Sequence, residues 1–195
     1  MNTELDTKGE KNRRKIVDAA NLLFYQKGFN QTSFTDVARM SDIPKGNFYF
    51  YFKSKNQLLT AVIDSKYTFI KNKLQEYEQE HSSAIDRLKR LASMPLTETD
   101  NIIRYGCPIG SLTTELAKSK KEETIETQKL FDLYINWATK QFYALNTRGK
   151  PKQLAQHMMA RMQGIITLTN IYADAGFLKR EIVILQNWLD SFSSE

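Results

Sequence analysis

Apolar residues recur at helical spacing along almost the whole chain. Over residues 12–27, Ile16, Ala20, Leu23 and Phe24 fall at i, i+4, i+7 and i+8, the spacing that lines one face of a helix. Gly28 then suits a C-cap. Ser33 and Asp36 form a capping-box-like start, in which the hydroxyl accepts an orphan backbone N–H beside a favourable carboxylate. Val37, Ala38 and Met40 continue a short second helix. Asp42-Ile43-Pro44 interrupts it, because proline disfavours helical geometry at the preceding residue and suits the first turn of a new helix. Residues 45–52 are two-sided. Phe48, Phe50 and Phe52 alternate with Tyr49 and Tyr51 as in a strand, while Phe48 and Phe52 at i, i+4 fit one face of a helix. No second strand-like run lies nearby, and a lone strand leaves its backbone unsatisfied, so the context favours the helix.

Further along, Ser54 and Gln57 give another capping box. It opens a long helix with the stripe Leu59, Ile63, Tyr67, Ile70, Leu74 and Tyr77. Ile85, Leu88, Leu91 and Ala92 make the next stripe, broken near Pro95, and Ile109, Leu112 and Leu116 follow Pro108. Phe131, Tyr134, Ala138, Phe142 and Leu145 form another, closed by Arg148-Gly149-Lys150-Pro151. Leu154, Met158, Met162, Ile165, Thr169 and Tyr172 mark a long penultimate helix that Gly176 is expected to end, and Ile182, Leu185, Leu189 and Phe192 mark the last. The expectation is an all-α fold of about nine helices and no convincing strand.

Composition narrows the class. The 195 residues are 41% hydrophobic and 26% charged, near globular averages and enough for a sizeable core. The longest apolar run, residues 48–52, falls far short of the roughly 20 residues that span a bilayer. Residues 1–10 lack the apolar segment of a secretory signal, and the single cysteine allows no internal disulfide, so a cytoplasmic location is expected. The formal charge is +6, and its distribution matters more. Residues 1–55 hold ten Lys and Arg against six Asp and Glu, whereas residues 56–195 hold 18 against 16. The excess sits in the first quarter and points to an anionic partner there.

Three helices within residues 12–52, the second and third joined by a tight turn, have the dimensions of a helix-turn-helix unit, whose second helix enters a DNA major groove. Pro44-Lys45-Gly46-Asn47 would lead that helix. Lys45 supplies charge to phosphate or a base edge, Gly46 lets the backbone approach, and Asn47 hydrogen-bonds. Tyr49 and Tyr51 carry hydroxyls suited to phosphate oxygens. Lys53 and Lys55 flank the start of the next helix, whose free N–H groups attract anions.

Residues 14–59, RKIVDAANLLFYQKGFNQTSFTDVARMSDIPKGNFYFYFKSKNQLL, resemble the N-terminal domain of TetR/AcrR-family transcriptional regulators. The matching marks are L-F-x-x-x-G-F at Leu23 to Phe29, T-S-x-x-D-V-A at Thr32 to Ala38, and K-G-x-x-Y-x-Y-F-x-S-K at Lys45 to Lys55. They cover about a quarter of the chain. Pro44 departs from the small polar cap often found there, a change expected to shift a phosphate contact and leave the fold intact. The resemblance implies DNA contacts from Ser33 and Thr35, from Lys45, Gly46, Asn47, Tyr49 and Tyr51, and from Lys55, with Phe24, Phe48 and Phe52 in the core. It implies a helix-turn-helix domain over residues 1–53 and an effector-binding and dimerisation domain over residues 54–195. It also implies a homodimer on double-stranded operator DNA, most often a repressor released by a small-molecule effector, with no catalytic activity, cofactor, metal or membrane.

The remainder of the chain supports this loosely. The last two helices carry Ile165, Ile166, Leu168, Ile184, Leu185 and Trp188 around more than one face, as needed if one face meets the core and another a partner subunit. Two recognition helices about 34–36 Å apart would then read successive major grooves. Tyr67, Tyr105, Cys107, Phe131, Tyr134, Trp137 and Tyr172 are candidates for lining an effector pocket, although aromatics at helical spacing also serve as plain core. His81 and His157 stand far apart in sequence, which argues against a His-rich metal centre. Cys107 lies in Gly106-Cys107-Pro108-Ile109-Gly110, at the start of a helix whose dipole favours thiolate. That segment resembles the G-C-P-I-G of a subset of TetR-like regulators, some of which answer to electrophiles or oxidants. The alternative is a buried, inert cysteine.

Two other classes compete. An enzyme would need a phosphate-cradling glycine loop, metal-spaced ligands or a nucleophile–base set, and none is evident in the sequence. A helical adaptor that binds protein or membrane through its basic face would bind with little salt dependence. Specific duplex binding weakens by roughly 0.9 log units per log unit of salt for each neutralised phosphate.

Overall fold

The computed structural model describes residues 7–119, 121–146 and 150–192; Arg148 and Gly149 of the expected closing loop lie outside them. In chain order the elements are α1 (Lys8–Lys27), α2 (Phe34–Ser41), α3 (Lys45–Tyr51), α4 (Lys55–Glu80) and α5 (Ala84–Ala92). A 3-10 turn (Met94–Glu98) leads to α6 (Thr99–Tyr105), α7 (Gly110–Ser119), α8 (Lys121–Ala144), α9 (Pro151–Tyr172) and α10 (Ala175–Asp190). Among the described residues every regular element is helical, so the all-α expectation holds. The unanticipated element is α6, which buries Ile102 alone and is too short to show periodicity.

Local chemistry sets the boundaries. Thr7 closes a capping box with Glu10, which starts α1 four residues earlier than its apolar stripe implies. Ser33 and Asp36 close the expected box at α2. Asp42 ends α2 in the left-handed conformation, at φ 56°, and Pro44 stands at the N-cap of α3, one residue short of the expected first turn. At α4, Ser54 accepts from the Gln57 backbone, while the Gln57 side chain accepts from the Lys53 N–H and so ties the loop before the cap. Gly176 does not end α9. Ala173 takes the left-handed turn, Asp174 caps α10 by accepting from the Phe177 N–H, and Gly176 sits in the first turn of that helix.

The ambiguous aromatic run is helical because burial selects it. Phe48 is fully buried in α3 and packs against Phe34 and Phe52. Phe52 follows the helix in extended geometry, yet it is also buried, and its N–H donates to the Phe48 carbonyl. Each ring contributes about 2 kcal/mol by leaving water. These rings complete the α1–α3 core with Ile16, Ala20, Leu23, Phe24, Phe29, Val37 and Ile43. From this core α4 runs into a larger bundle, where α8 packs on α4, α5, α7 and α9, and α10 packs on α9 and α5.

One stripe differs from expectation. On α4 the buried residues are Leu58, Leu59, Ala61, Val62, Ile63, Ile70, Leu74 and Tyr77, and Tyr67 is exposed. The position between Ile63 and Ile70 that faces the bundle is taken by Lys66, whose amine is largely withdrawn from water. Spacings of four, three and four from Leu59 through Ile63, Lys66 and Ile70 put the lysine on the seam; a hydrophobicity pattern passes over it because it is charged. Tyr172, expected on the buried stripe of α9, is likewise exposed, since it is the last residue of that helix.

Candidate nucleic-acid interface and effector site

On α3, each residue turns 100° about the axis, so Phe48 directed inward sends Gly46 and Phe50, at i and i+4, to the opposite side. Lys45 and Tyr49 flank one edge of that outward face, and Asn47 the other. Lys45, Gly46, Asn47 and Phe50 are all exposed, and a Cβ built on Gly46 would meet nothing within 4 Å. The helix has no acidic residue in its sequence. A shallow open cleft of about 430 Å³ separates it from α2, lined by Thr35, Arg39, Asp42, Pro44 and Lys45 among others. Such a protruding, acid-free helix fits a groove lined by phosphates. Arg39 and Phe50 were not anticipated. Arg39 was legible as an exposed base beside the turn, whereas Phe50 reads as core in any alternating aromatic run.

The other anticipated contact residues are partly engaged within the protein. The Ser33 hydroxyl donates to Asp36, which it helps to hold below the usual carboxylate range. Thr35 is exposed at the start of α2. Tyr49 is half exposed and meets Phe34 edge-on, whereas the Tyr51 hydroxyl accepts a 3.2 Å hydrogen bond from Asn12 of α1. The Lys53 ammonium donates to the Tyr49 carbonyl at the end of α3. Lys55 lies 4.4 Å from the Phe29 ring centre and donates to the Asn30 carbonyl, which binds the start of α4 to the α1–α2 loop.

That loop is also gripped from the larger bundle. The Glu115 carboxylate on α7 accepts from the backbone N–H groups of Phe29 at 2.8 Å and Asn30 at 2.7 Å. Tyr25 of α1 donates to the Gly106 carbonyl at 2.8 Å and stacks edge-on against Tyr105. Residues 106–110 are thus joined to the helix-turn-helix unit through Tyr25, and α7 through Glu115.

Within the Gly106–Gly110 segment, the Cys107 sulfur accepts from the Gly110 N–H at 3.2 Å and caps the turn into α7. A side chain at Gly110 would come 2.8 Å from Gln163 of α9, so the last glycine permits close approach of two helices. Cys107 is half-buried and close enough to act electrostatically on Tyr25, Lys66 and Tyr134. Burial first, and neighbouring negative charge second, raises the Tyr25 and Tyr134 hydroxyls above their ordinary range. Burial pulls the Lys66 amine down to about 8, and among the described residues it has no hydrogen-bond or acidic partner. Of the anticipated pocket residues, Cys107 therefore lies close to Lys66 and to Tyr134, and Tyr105 stands beside Tyr25, itself a neighbour of Cys107. Phe131 is half-buried, and Trp137 of α8 is buried and donates to Glu78 near the end of α4. Tyr67 and Tyr172 stand outside the core.

Leu168, Ile171 and Tyr172 near the end of α9, with Val183 and Ile184 of α10, form exposed apolar stripes on neighbouring helices. Among the described residues no group of three His, Cys, Asp or Glu side chains is placed to hold a metal ion, and no helix is long and apolar enough to cross a membrane.

Residues 16–62 match the sequence model of the bacterial regulatory proteins of the tetR family. Over 178 residues the chain is 29% identical to an uncharacterized HTH-type transcriptional regulator in the lacX 3' region of Lactococcus lactis subsp. lactis, covering 89% of this chain and 91% of that one. It is 21% identical to the HTH-type transcriptional repressor DhaR of Mycobacterium sp. (strain GP1), covering 79% and 80% of the two chains. The fold is similar to the crystal structure of a TetR transcriptional regulator from Chloroflexus aurantiacus J-10-FL, with a TM-score of 0.84, 20% identity and coverage of 94% and 96%.

Proposed function

We propose that the chain is a DNA-binding transcriptional regulator with a TetR-family helix-turn-helix domain, supported by the match over residues 16–62 and the likeness to HTH-type regulators, and that it is a homodimeric repressor released from its operator by a small-molecule effector. Residues 1–53 form the reading head, and residues 54–195 form the effector-binding and dimerisation domain. The single observation that carries this proposal is the outward face of α3, exposed and free of acidic residues, set on a helix whose inward face is locked by Phe48. Lys45, Gly46 and Asn47 lead into the major groove, and Thr35, Tyr49 and Arg39 border it. Ser33, Tyr51 and Lys55 act from inside the domain, holding the ends of α2, α3 and α4 in register. The exposed stripes of α9 and α10 pair across a two-fold axis and set the distance between two recognition helices.

On this proposal the effector enters beside Lys66, Tyr105, Cys107 and Tyr134, in the subset of regulators marked by the G-C-P-I-G segment. Movement there reaches the reading head through the Tyr25–Gly106 and Glu115–loop hydrogen bonds. The regulator works on chromosomal DNA in the cytoplasm and carries out no chemical turnover. Selection of bound duplexes from random DNA with the purified protein is the test: a palindrome with half-sites one helical turn apart is expected, and enrichment of no sequence would overturn the assignment.

A further inference from the structure

We infer that Phe50 reads sequence, its ring receiving the 5-methyl group of a thymine in the major groove of each operator half-site. The inference rests on the DNA-binding function above and adds to it a base and the side chain that selects it. Phe50 is 79% exposed, more than any other large hydrophobic side chain among the described residues. It stands at the middle of the outward face of α3, opposite the buried Phe48. Helical side chains lean toward the N-terminus, and one turn back in that direction stands Gly46, where a Cβ would meet no atom within 4 Å, so no side chain crowds that approach. Tyr51 meets the ring edge-on at 5.4 Å and 83°, and Asn12 holds the Tyr51 hydroxyl, so the ring is braced from α1.

A phenyl ring neither donates nor accepts a conventional hydrogen bond, so it cannot hold a phosphate or read the polar edge of a base as Lys45 and Asn47 can. Of the four bases only thymine presents an apolar group, its 5-methyl, in the major groove. Lysines at positions 45 and 53 neutralise phosphates on either side, and the ring meets that methyl group between them. Deoxyribose is the competing apolar surface, and it carries no sequence information.

The experiment uses the 195-residue chain and the duplex it selects from random DNA. Each thymine is replaced in turn, in both half-sites, by deoxyuridine, which lacks only the methyl group, and affinity is measured at one salt concentration. For the wild type, one thymine position per half-site should lose about fourfold for each methyl removed, and about 15-fold when both copies are replaced, the factor expected for about 0.8 kcal/mol per buried methyl-sized group. Phe50→Ala, at an exposed site, should bind the thymine duplex more weakly and lose the discrimination. Phe50→Leu, which keeps an apolar group, should retain part of it. Absence of any deoxyuridine-sensitive position, or a penalty that persists unchanged in Phe50→Ala, would overturn the role of Phe50 while leaving the DNA-binding function standing. Failure to select any sequence would overturn both.

Discussion

At the residue scale, Lys66 and Gly28 show how single positions carry more than their type implies. Lys66 sits on a core seam with its amine titrating at about 8 when folded, against 10.5 in the open chain. Below pH 8 both states are protonated, and folding bears the whole cost of withdrawing the charge from water. Between pH 8 and 10.5 the unfolded chain binds more protons, so stability rises with pH. Tyr25 and Tyr134, raised when folded, reverse the trend above pH 10, where the unfolded phenols ionise first. Resistance to urea unfolding should therefore rise from pH 8 to 10. In Lys66→Met the slope should flatten and stability at pH 7 should increase, by up to about 3 kcal/mol. Gly28, at φ 87° and ψ 159°, lies in a region essentially reserved for glycine, and a Cβ there would stand 2.8 Å from the Glu115 carboxylate. Gly28→Ala should cost about 1–3 kcal/mol in thermal or denaturant unfolding. Gly28 was legible as a helix stop, but its carboxylate neighbour, far along the chain on α7, was not.

The elements were legible where local chemistry alone decides them. Ser33 with Asp36 and Ser54 with Gln57 lie within one turn of each other, so the capping hydrogen bonds follow from spacing. Ser33→Ala should loosen the start of α2 and cost about 1 kcal/mol, read as a lower unfolding midpoint with faster hydrogen exchange at the Asp36 amide. By contrast, the aromatic run at α3 satisfies two periods at once. Only the pocket formed by α1, α2 and α4 decides that Phe48 and Phe52 go inside while Phe50 goes out. The same competition misplaced the α9 boundary, because glycine at position 176 looks like a stop while Ala173 takes the left-handed turn and Asp174 supplies the next cap.

For the whole molecule, the proposed dimer and its DNA complex carry the remaining predictions. A carboxylate placed in the exposed α9 stripe, as in Ile171→Glu, should leave the fold intact, since nothing buries that side chain within the protomer. It should shift sedimentation toward a monomer and weaken operator binding at least tenfold. Lys45→Ala should weaken operator binding and reduce the salt slope by about 0.9 for each phosphate left without its lysine, about two for the pair of subunits. By itself, the sequence determined the helical class, the caps at Ser33 and Ser54 and the basic character of the first quarter, because those depend on charge and on residues one turn apart. Only the tertiary structure decided that Lys66 rather than Tyr67 faces the bundle, that Tyr51 and Lys55 bond inward, and that Glu115 grips the α1–α2 loop. Those outcomes depend on which surfaces meet across long sequence separations, where periodicity is silent and the competition for burial has the last word.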